Sequence, residues 1–517
     1  MSEAHTPDVV EFKVELASSP DGARNRIVVY DWFTRDSGSS PPRGGNRIEA
    51  LVDGEQTWTR VADDLDRAQS EVQIATWMCR PDMELRRPEE LATSEPGARA
   101  RFRLGEVLER LAHADVRVRL LIWGMAYTPI VDRWMRRWFW RGHDNIDVLE
   151  QDHPTLIGSH HQKTLTIDGR VGYCGGMNLK ENDWDTTEHR AWEPRRFPHR
   201  ADAHARADAV RHITLPPFAP RHDLMVRVEG PAVGDLLHNF AERWQQSLAA
   251  RRQRFGARLV DALRRRLGGD PAPVLPAPAS EQPRAGEQWV QIVRTQPGGE
   301  AGILRAYYRA IYNARRYIYI ENQYFRSPDI GLALAQALAA NPRLRIIVVV
   351  WPINEGAVSF VDPSGYYTAQ TLQAIRRARP DFELTRLLVT ADDAGGERHW
   401  LPVDVHAKVM IIDDVWITVG SANINDRGFK TEGEINAVVL DELVATDLRK
   451  RLMAEHLGLS PDDPVLDDVD RAFDLWNFHG HENPRLRALE REPLSRVHYF
   501  VQDAQDRPPL GVGSGIF

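Results

Sequence analysis

Lysine is scarce in this chain. Of its 66 lysine and arginine side chains, only Lys13, Lys163, Lys180, Lys408, Lys430 and Lys450 are lysine. Cysteine is scarcer still, with Cys79 and Cys174 alone, which excludes a disulfide framework and a cysteine-ligated metal centre. No stretch reaches the ~18–20 uninterrupted apolar residues of a membrane-spanning helix. The most apolar runs, such as Ile346–Trp351, have the length of strands. Met1 to Asp21 offers neither a cationic start nor an apolar centre, so no secretory leader is expected, and a cytoplasmic or peripheral membrane location is. A net charge of −8 counts against a broad nucleic-acid surface, which would be basic, although a locally positive pocket is compatible with it.

What remains is an ordinary globular composition, 42% hydrophobic and 27% charged, over 517 residues. That length can bury two sizeable cores or one large bilobal unit. The chain reads as the same order of elements met twice. In the first half a helix carrying Val61, Leu65 and Ala68 leads to a strand through Val72 and Ile74. A second helix at about 101–113 then leads to the strand Val116–Trp123. In the second half, helix Ile303–Arg316, strand Tyr317–Tyr324, helix Gly331–Ala340 and strand Leu344–Trp351 repeat the order. This alternation predicts an α/β fold of two pseudo-symmetric half-domains, each a mixed β-sheet flanked by helices, forming one bilobal unit.

The boundaries expected are an N-terminal extension at 1–50, a first half at 51–267, a Pro/Ala/Gly-rich linker at 268–286, a second half at 287–460 and a tail at 461–517. The irregular stretches Trp192–Arg221 and Asp362–Tyr367 are expected at a pocket rim, and Leu448–Leu459 as a terminal helix. The stretch Arg133–Arg141 interleaves aromatic and cationic residues. It reads as a helix packing Trp134 and Trp138 into the core, with a lipid-facing patch as the rival.

Two of the six lysines sit in one pattern, His-x-Lys-x-x-x-x-Asp, once in each half: His161, Lys163, Asp168 and His406, Lys408, Asp413. Both copies run on into a β-rich segment and a small-residue turn with an asparagine, Gly175, Gly176, Asn178 and Gly420, Ser421, Asn423. Residues two apart on a strand share a face, so each copy presents an imidazole beside an ammonium. Two such faces brought together make a pocket of two imidazoles, two ammoniums and the Asn178 and Asn423 amides. That set suits a phosphodiester, whose oxygens need point charge and oriented donors. One imidazole can attack phosphorus while the other protonates the leaving alkoxide, since an unperturbed pKa of ~6.5 populates both forms near neutrality. The lysines supply the charge a divalent ion supplies elsewhere, so no metal and no cofactor is expected. His160 faces the other way and is expected in the core.

The doubled motif resembles the phospholipase D superfamily, in particular its bacterial two-motif enzymes. The segments SHHQKTLTIDGRVGYCGGMNL, WDTTEH, YIYIENQYF, GSANINDR and AEHLG carry the resemblance over most of the chain. The turn Gly175-Gly176-Met177-Asn178 departs from it, having Asn where many relatives have Asp. The resemblance implies that His161 is the nucleophile and His406 the general acid. It implies that Asp223, in PRHDLMVRVEGPA, supports the first-motif histidine and that Glu434, in TEGEINAVVL, supports the second. Asp168 and Asp413 complete the motif set and are expected to pin the turn after each strand. Trp77, Trp184, Glu321, Asn322 and Gln323 are expected as pocket lining. The implied partners are a phospholipid at a membrane surface and a water or alcohol acceptor, with no stable nucleic-acid complex. Rival readings are a cardiolipin synthase-like transferase, a nuclease-type phosphodiesterase and a non-catalytic lipid-binding scaffold.

Overall fold

The computed structural model describes residues 32–91, 97–124, 143–155, 158–197, 219–253, 282–352, 364–392 and 395–501. Two sheets of the same build dominate. The first runs Ile146–Gln151, Arg117–Trp123, Glu71–Thr76, Thr164–Ile167, Val171–Gly175, Leu224–Glu229, Arg43–Val52. The second runs Leu384–Asp392, Arg345–Val350, Tyr317–Asn322, Lys408–Ile412, Trp416–Gly420, Glu434–Leu440, Gln288–Gln296. In each, three parallel strands change to antiparallel pairing at the motif strand, Thr164–Ile167 or Lys408–Ile412. Parallel neighbours need a crossover, and helices Leu104–His113 and Pro328–Ala340 lie in two of these connections.

Face burial explains the apolar runs. The outer side of the first sheet packs Val72, Ile74, Val118 and Leu120 with Trp58, Val61 and Leu65 of helix Asp53–Leu65. The outer side of the second packs Ile318, Ile320 and Val348 with Ile303, Tyr307 and Leu334 of helices Gly302–Asn313 and Pro328–Ala340. The inner sides share one core, in which Val52, Cys174 and Val226 join Ile292, Val409, Ile417 and Ile435. The halves are therefore one unit joined by apolar burial, the dominant favourable contribution to folding.

Two boundaries depart from expectation. The N-terminal extension was expected to reach residue 50, but the strand Arg43–Val52 already belongs to the first sheet, its polar, glycine-containing start masking the pattern. The helix expected at Leu448–Leu459 is Glu442–Leu457, capped by the Asp441 side chain and by Gly458 in the left-handed region, and it is not terminal. Helix Val469–Ala488 follows, and strand Val497–Phe500 adds to the edge strand Leu384–Asp392. Pro484 and the polar run around it hid that helix, whose buried Val469, Ala472, Phe473 and Trp476 keep helical spacing. The expectations for Arg133–Arg141, for residues 1–31, 198–218 and 362–363, and for the linker up to 281 lie outside the described residues.

Asp168 and Asp413 close the two motif strands. Both adopt positive φ, 52° and 56°, a region in which aspartate is one of the few tolerated side chains. The Asp168 carboxylate accepts backbone N–H bonds from Gln69, Ser70 and Glu71; that of Asp413 accepts them from Arg315, Arg316 and Tyr317. Each carboxylate thus fixes the start of the neighbouring strand. Asp413→Ala removes three such acceptor bonds and is expected to destabilise the protein by about 2–4 kcal/mol in chemical denaturation. Lys408→Ala should leave the unfolding midpoint near that of the wild type; equal stability losses would show that the two residues do not divide in this way.

Candidate active site

His161 and Lys163 lie in the extended residues just before the first motif strand; His406 precedes the second, and Lys408 begins it. Both histidine backbones are held by the opposite half. His161 N–H donates to Gly433 O at 2.7 Å, and Gly433 N–H returns a bond to Ser159 O at 3.0 Å. His406 N–H donates to His222 O at 2.7 Å, beside the short parallel pairing of Asp404–Val405 with Arg221–His222. The residues that accept, Gly433 and His222, immediately precede Glu434 and Asp223. A side chain at Gly433 would put its Cβ 2.5 Å from His160 Nδ1, so the close approach requires glycine.

The ring contacts follow the same crossing. His161 Nδ1 lies 2.9 Å from Glu434 Oε1, and His406 Nδ1 lies 2.6 Å from Asp223 Oδ2. This reverses the pairing implied by family resemblance, which gave Asp223 to the first histidine and Glu434 to the second. The reason is topological. Asp223 and Glu434 sit at the starts of strands whose sheets face each other, so each carboxylate reaches across the seam. Ser421 Oγ donates to Glu434 Oε2 at 2.5 Å, and Leu224 N–H donates to Asp223 Oδ1 at 2.8 Å. In the first half the position matching Ser421 is Gly176, where any Cβ would collide with the Asp223 carboxylate. With each Nδ1 engaged, each Nε2 is left for chemistry.

Lys163 Nζ donates to His161 O at 2.5 Å, Lys408 Nζ donates to His406 O, and Gln323 Oε1 stands 3.5 Å from Lys408 Nζ. Both ammoniums act on both rings. Burial first, then Lys163, with Lys408 adding to it, hold His161 well below its ordinary value; burial, Arg221 and both lysines do the same for His406. Burial lowers Lys163 to about 7 and Lys408 to about 8, while it raises Glu434 to about 8 and Asp223 to about 7 against the pull of the lysines. The site therefore lacks a settled complement of charge, which a bound anion would supply.

The other expected residues divide. Trp77 stands edge-on to the His161 ring at 5.9 Å and stacks on Trp123 at 5.6 Å, forming one wall. Trp184 does not line the pocket. It is buried against the backbone beside Gly54, with the guanidiniums of Arg87 and Arg195 at 4.9 and 5.3 Å from its ring. Glu321 is also withdrawn, accepting from His222 Nε2 at 2.7 Å, His456 Nε2 at 2.8 Å and the Tyr319 hydroxyl at 2.5 Å. Asn322 serves the loop behind the site, its Oδ1 accepting from Ile424 N–H at 3.0 Å. Asn178 Nδ2 donates to Asp183, while the Oδ1 atoms of Asn178 and Asn423 are buried without a hydrogen-bond partner. His160 is buried, its ring tilted against that of His153 at 5.3 Å. Asp168 and Asp413, placed with the motif set by sequence, lie five residues beyond the lysines, about 16 Å along extended chain, and act on turns.

Arg221 was expected only as the end of a rim segment and Ser421 only as part of the second motif's turn; Gly433 was not foreseen as part of the site. Arg221 and Gly433 each adjoin a residue that was read, but nothing in their own spacing marks them. Behind His222, donor atoms of Asp53, His189, His222 and Glu455 lie within 4.8 Å of one another, and those of His222, Glu321 and His456 form a second such group. These are the described residues with a donor set able to hold a metal ion. Burial opposes charge on His189, but Asp53, Asp185 and Glu455 outweigh it and raise this imidazole to about 9. The group thereby also ties the His222 carbonyl, and with it the His406 backbone, to both halves.

An oxyanion that draws Lys163 and Lys408 back to their charged forms must take up protons. Tungstate, measured by calorimetry, is expected to bind more weakly as pH rises from 7 to 9, by about tenfold per unit for each proton taken up. Glu434, charged above about 8, pushes the same way. An affinity constant across that range would contradict this electrostatic reading.

A family model described as phospholipase D matches residues 64–265, and one described as cardiolipin synthase, PLD-like domain, matches 307–455. The chain is 27% identical over 487 residues to phospholipase D A of Dictyostelium discoideum, covering 81% of this chain and 36% of that protein. It is 26% identical over 578 residues to phospholipase D alpha 3 of Arabidopsis thaliana, covering 85% and 68%. The solved phosphatidylserine synthase of Haemophilus influenzae Rd KW20 aligns over 86% of this chain and 94% of its own, with a TM-score of 0.47 and 13% identity.

Proposed function

The chain belongs to the phospholipase D superfamily, and from that premise we propose that it cleaves the phosphatidyl–head-group bond of a glycerophospholipid, passing the phosphatidyl group to water or an alcohol. The observation that carries the proposal is the crossed pair of imidazole–carboxylate contacts, His161 with Glu434 and His406 with Asp223, in the shared field of Lys163 and Lys408.

Chemistry follows from which ring atoms are free. Glu434 holds Nδ1 of His161 as N–H, so Nε2 carries the lone pair that attacks phosphorus. The P–N bond forms as the P–O bond to the head group breaks. His406, oriented by Asp223 and protonated at Nε2 in the presence of the phosphate charge, gives its proton to the departing alkoxide. The neutral His406 then takes a proton from the incoming water or alcohol, whose oxygen attacks phosphorus and expels His161 Nε2. Lys163 and Lys408 stabilise charge on the non-bridging oxygens throughout. Lipid would be met at a membrane surface, with the Trp77–Trp123 stack as an apolar wall beside the attacked phosphorus.

The test is phosphatidylcholine with added ethanol. Phosphatidylethanol and free choline are expected, and His161→Ala should reduce both by at least about a thousandfold. Because the second half matches a cardiolipin synthase-like model, phosphatidylglycerol is the natural second substrate, and cardiolipin would then appear without ethanol. Degradation of plasmid DNA with no turnover of either lipid would reject the lipid reading in favour of a nuclease. No turnover of any diester would leave a binding scaffold.

A further inference from the structure

Gln162 stands between His161 and Lys163 and faces away from both. It is fully buried, and both ends of its amide are engaged. Nε2 donates to the backbone O of Glu434 at 3.1 Å, while Oε1 accepts from Asn239 Nδ2 at 2.8 Å and from Arg243 Nη1 at 2.9 Å. Glu434 is therefore gripped by two successive residues of the first motif: by the His161 ring at its carboxylate and by the Gln162 amide at its main chain. Two donors on Oε1 leave the amide one orientation, with its N–H pointing at Glu434.

Arg243, on helix Val233–Gln253, is itself 1% exposed. Its Nε donates to Gln151 Oε1 at 2.9 Å, its Nη1 to Gln162, and its Nη2 is buried without a partner. Among the described residues no carboxylate forms an ion pair with it. A buried guanidinium held only by neutral amides is costly unless something nearby carries the opposite charge. Burial is the largest influence on Arg243, Arg294 repels it, and Glu434 is the carboxylate that favours its charge. The second half has no counterpart. Ala407 occupies the position of Gln162, in an apolar cluster that includes Val405, Met453 and Ala454.

We propose that Arg243 and Gln162 are positioning residues for the first half-site alone: the guanidinium orients the Gln162 amide, the amide fixes the Glu434 main chain, and the guanidinium charge behind them favours the ionised form of the Glu434 carboxylate that faces His161. The proposal rests on the catalytic reading of His161 and Glu434. The groups facing Glu434 are His161 and Lys163 from the first motif, Lys408 from the second, the Cys174 thiol from strand Val171–Gly175, Arg427 from the turn Arg427–Thr431, and Arg243 from the helix. Arg243 is faced by Glu434, Arg294 and His160. Removing its charge lets Glu434 protonate at higher pH, so the acid limb of the rate profile should move upward.

The experiment compares wild type with Arg243→Met, Arg243→Lys, Gln162→Met and the double variant Arg243→Met/Gln162→Met, on phosphatidylcholine with ethanol from pH 5 to 9. Each methionine variant is expected to lose about ten- to hundredfold in kcat with KM little changed, since misplacing a reacting group costs that much. The double variant should be scarcely worse than either single one, because the two act as one unit. The acid limb should move up by about one pH unit in Arg243→Met and return in Arg243→Lys. Additive losses, an unmoved acid limb or a loss accounted for by a lowered melting temperature would overturn the proposal. If Arg243→Met does not fold, Gln162→Met with an unaltered kcat does so as well. Wild type inactive on every diester would instead refute the underlying function.

Discussion

Each of the two motif imidazoles, His161 and His406, is oriented by a carboxylate from the other half, and the rest of the site depends on that exchange. A histidine and its own half's carboxylate begin different strands of one sheet. Two facing sheets bring each strand start to the partner's motif. Neither half has a complete site alone: the first half supplies His161 and Asp223, and the second supplies His406 and Glu434. The seam is correspondingly firm. It is closed by the shared core of the inner sheet faces, by the backbone bonds of His161 and His406, and by the buried group around His222. A duplicated fold has in this way become one site rather than two.

The exchange also sets the electrostatics. Four ionisable groups of the two motifs and their two carboxylates are buried together, and burial drives acids and bases alike toward neutrality. Such a site is expensive to keep charged on its own, and a bound anion would stabilise it, which couples binding to protonation. The two half-sites are not equivalent in their support. Ser421 and the Gln162–Arg243 pair surround Glu434, whereas Asp223 is backed by Gly176 and a main-chain N–H. The two like motifs therefore sit in unlike surroundings.

Much of this could be read from the chain. The duplication, the alternation of helix and strand, and the six motif residues rest on local spacing, which sequence displays. The pairing of Asp223 and Glu434 could not be read, because it depends on which way two sheets face, a non-local matter. Trp184 and Glu321 misled for a related reason. Both lie in segments rich in polar groups near the motifs, yet Trp184 is turned into the first core, and Glu321 is consumed by His222, His456 and Tyr319. Gln162 was invisible between two conspicuous neighbours, since its role lies on the opposite face of the same extended segment. The strand Arg43–Val52 and the helix Val469–Ala488 were missed where glycine, proline and charge interrupt otherwise regular burial.

The most direct measurement is nuclear magnetic resonance of ¹⁵N-histidine-labelled protein, following the downfield Nδ1 protons of the two motif rings. Glu434→Gln should abolish or strongly shift the His161 signal and spare that of His406, and Asp223→Asn should do the reverse. Loss of the His161 signal in Asp223→Asn, with Glu434→Gln leaving it in place, would contradict the exchange of partners across the seam.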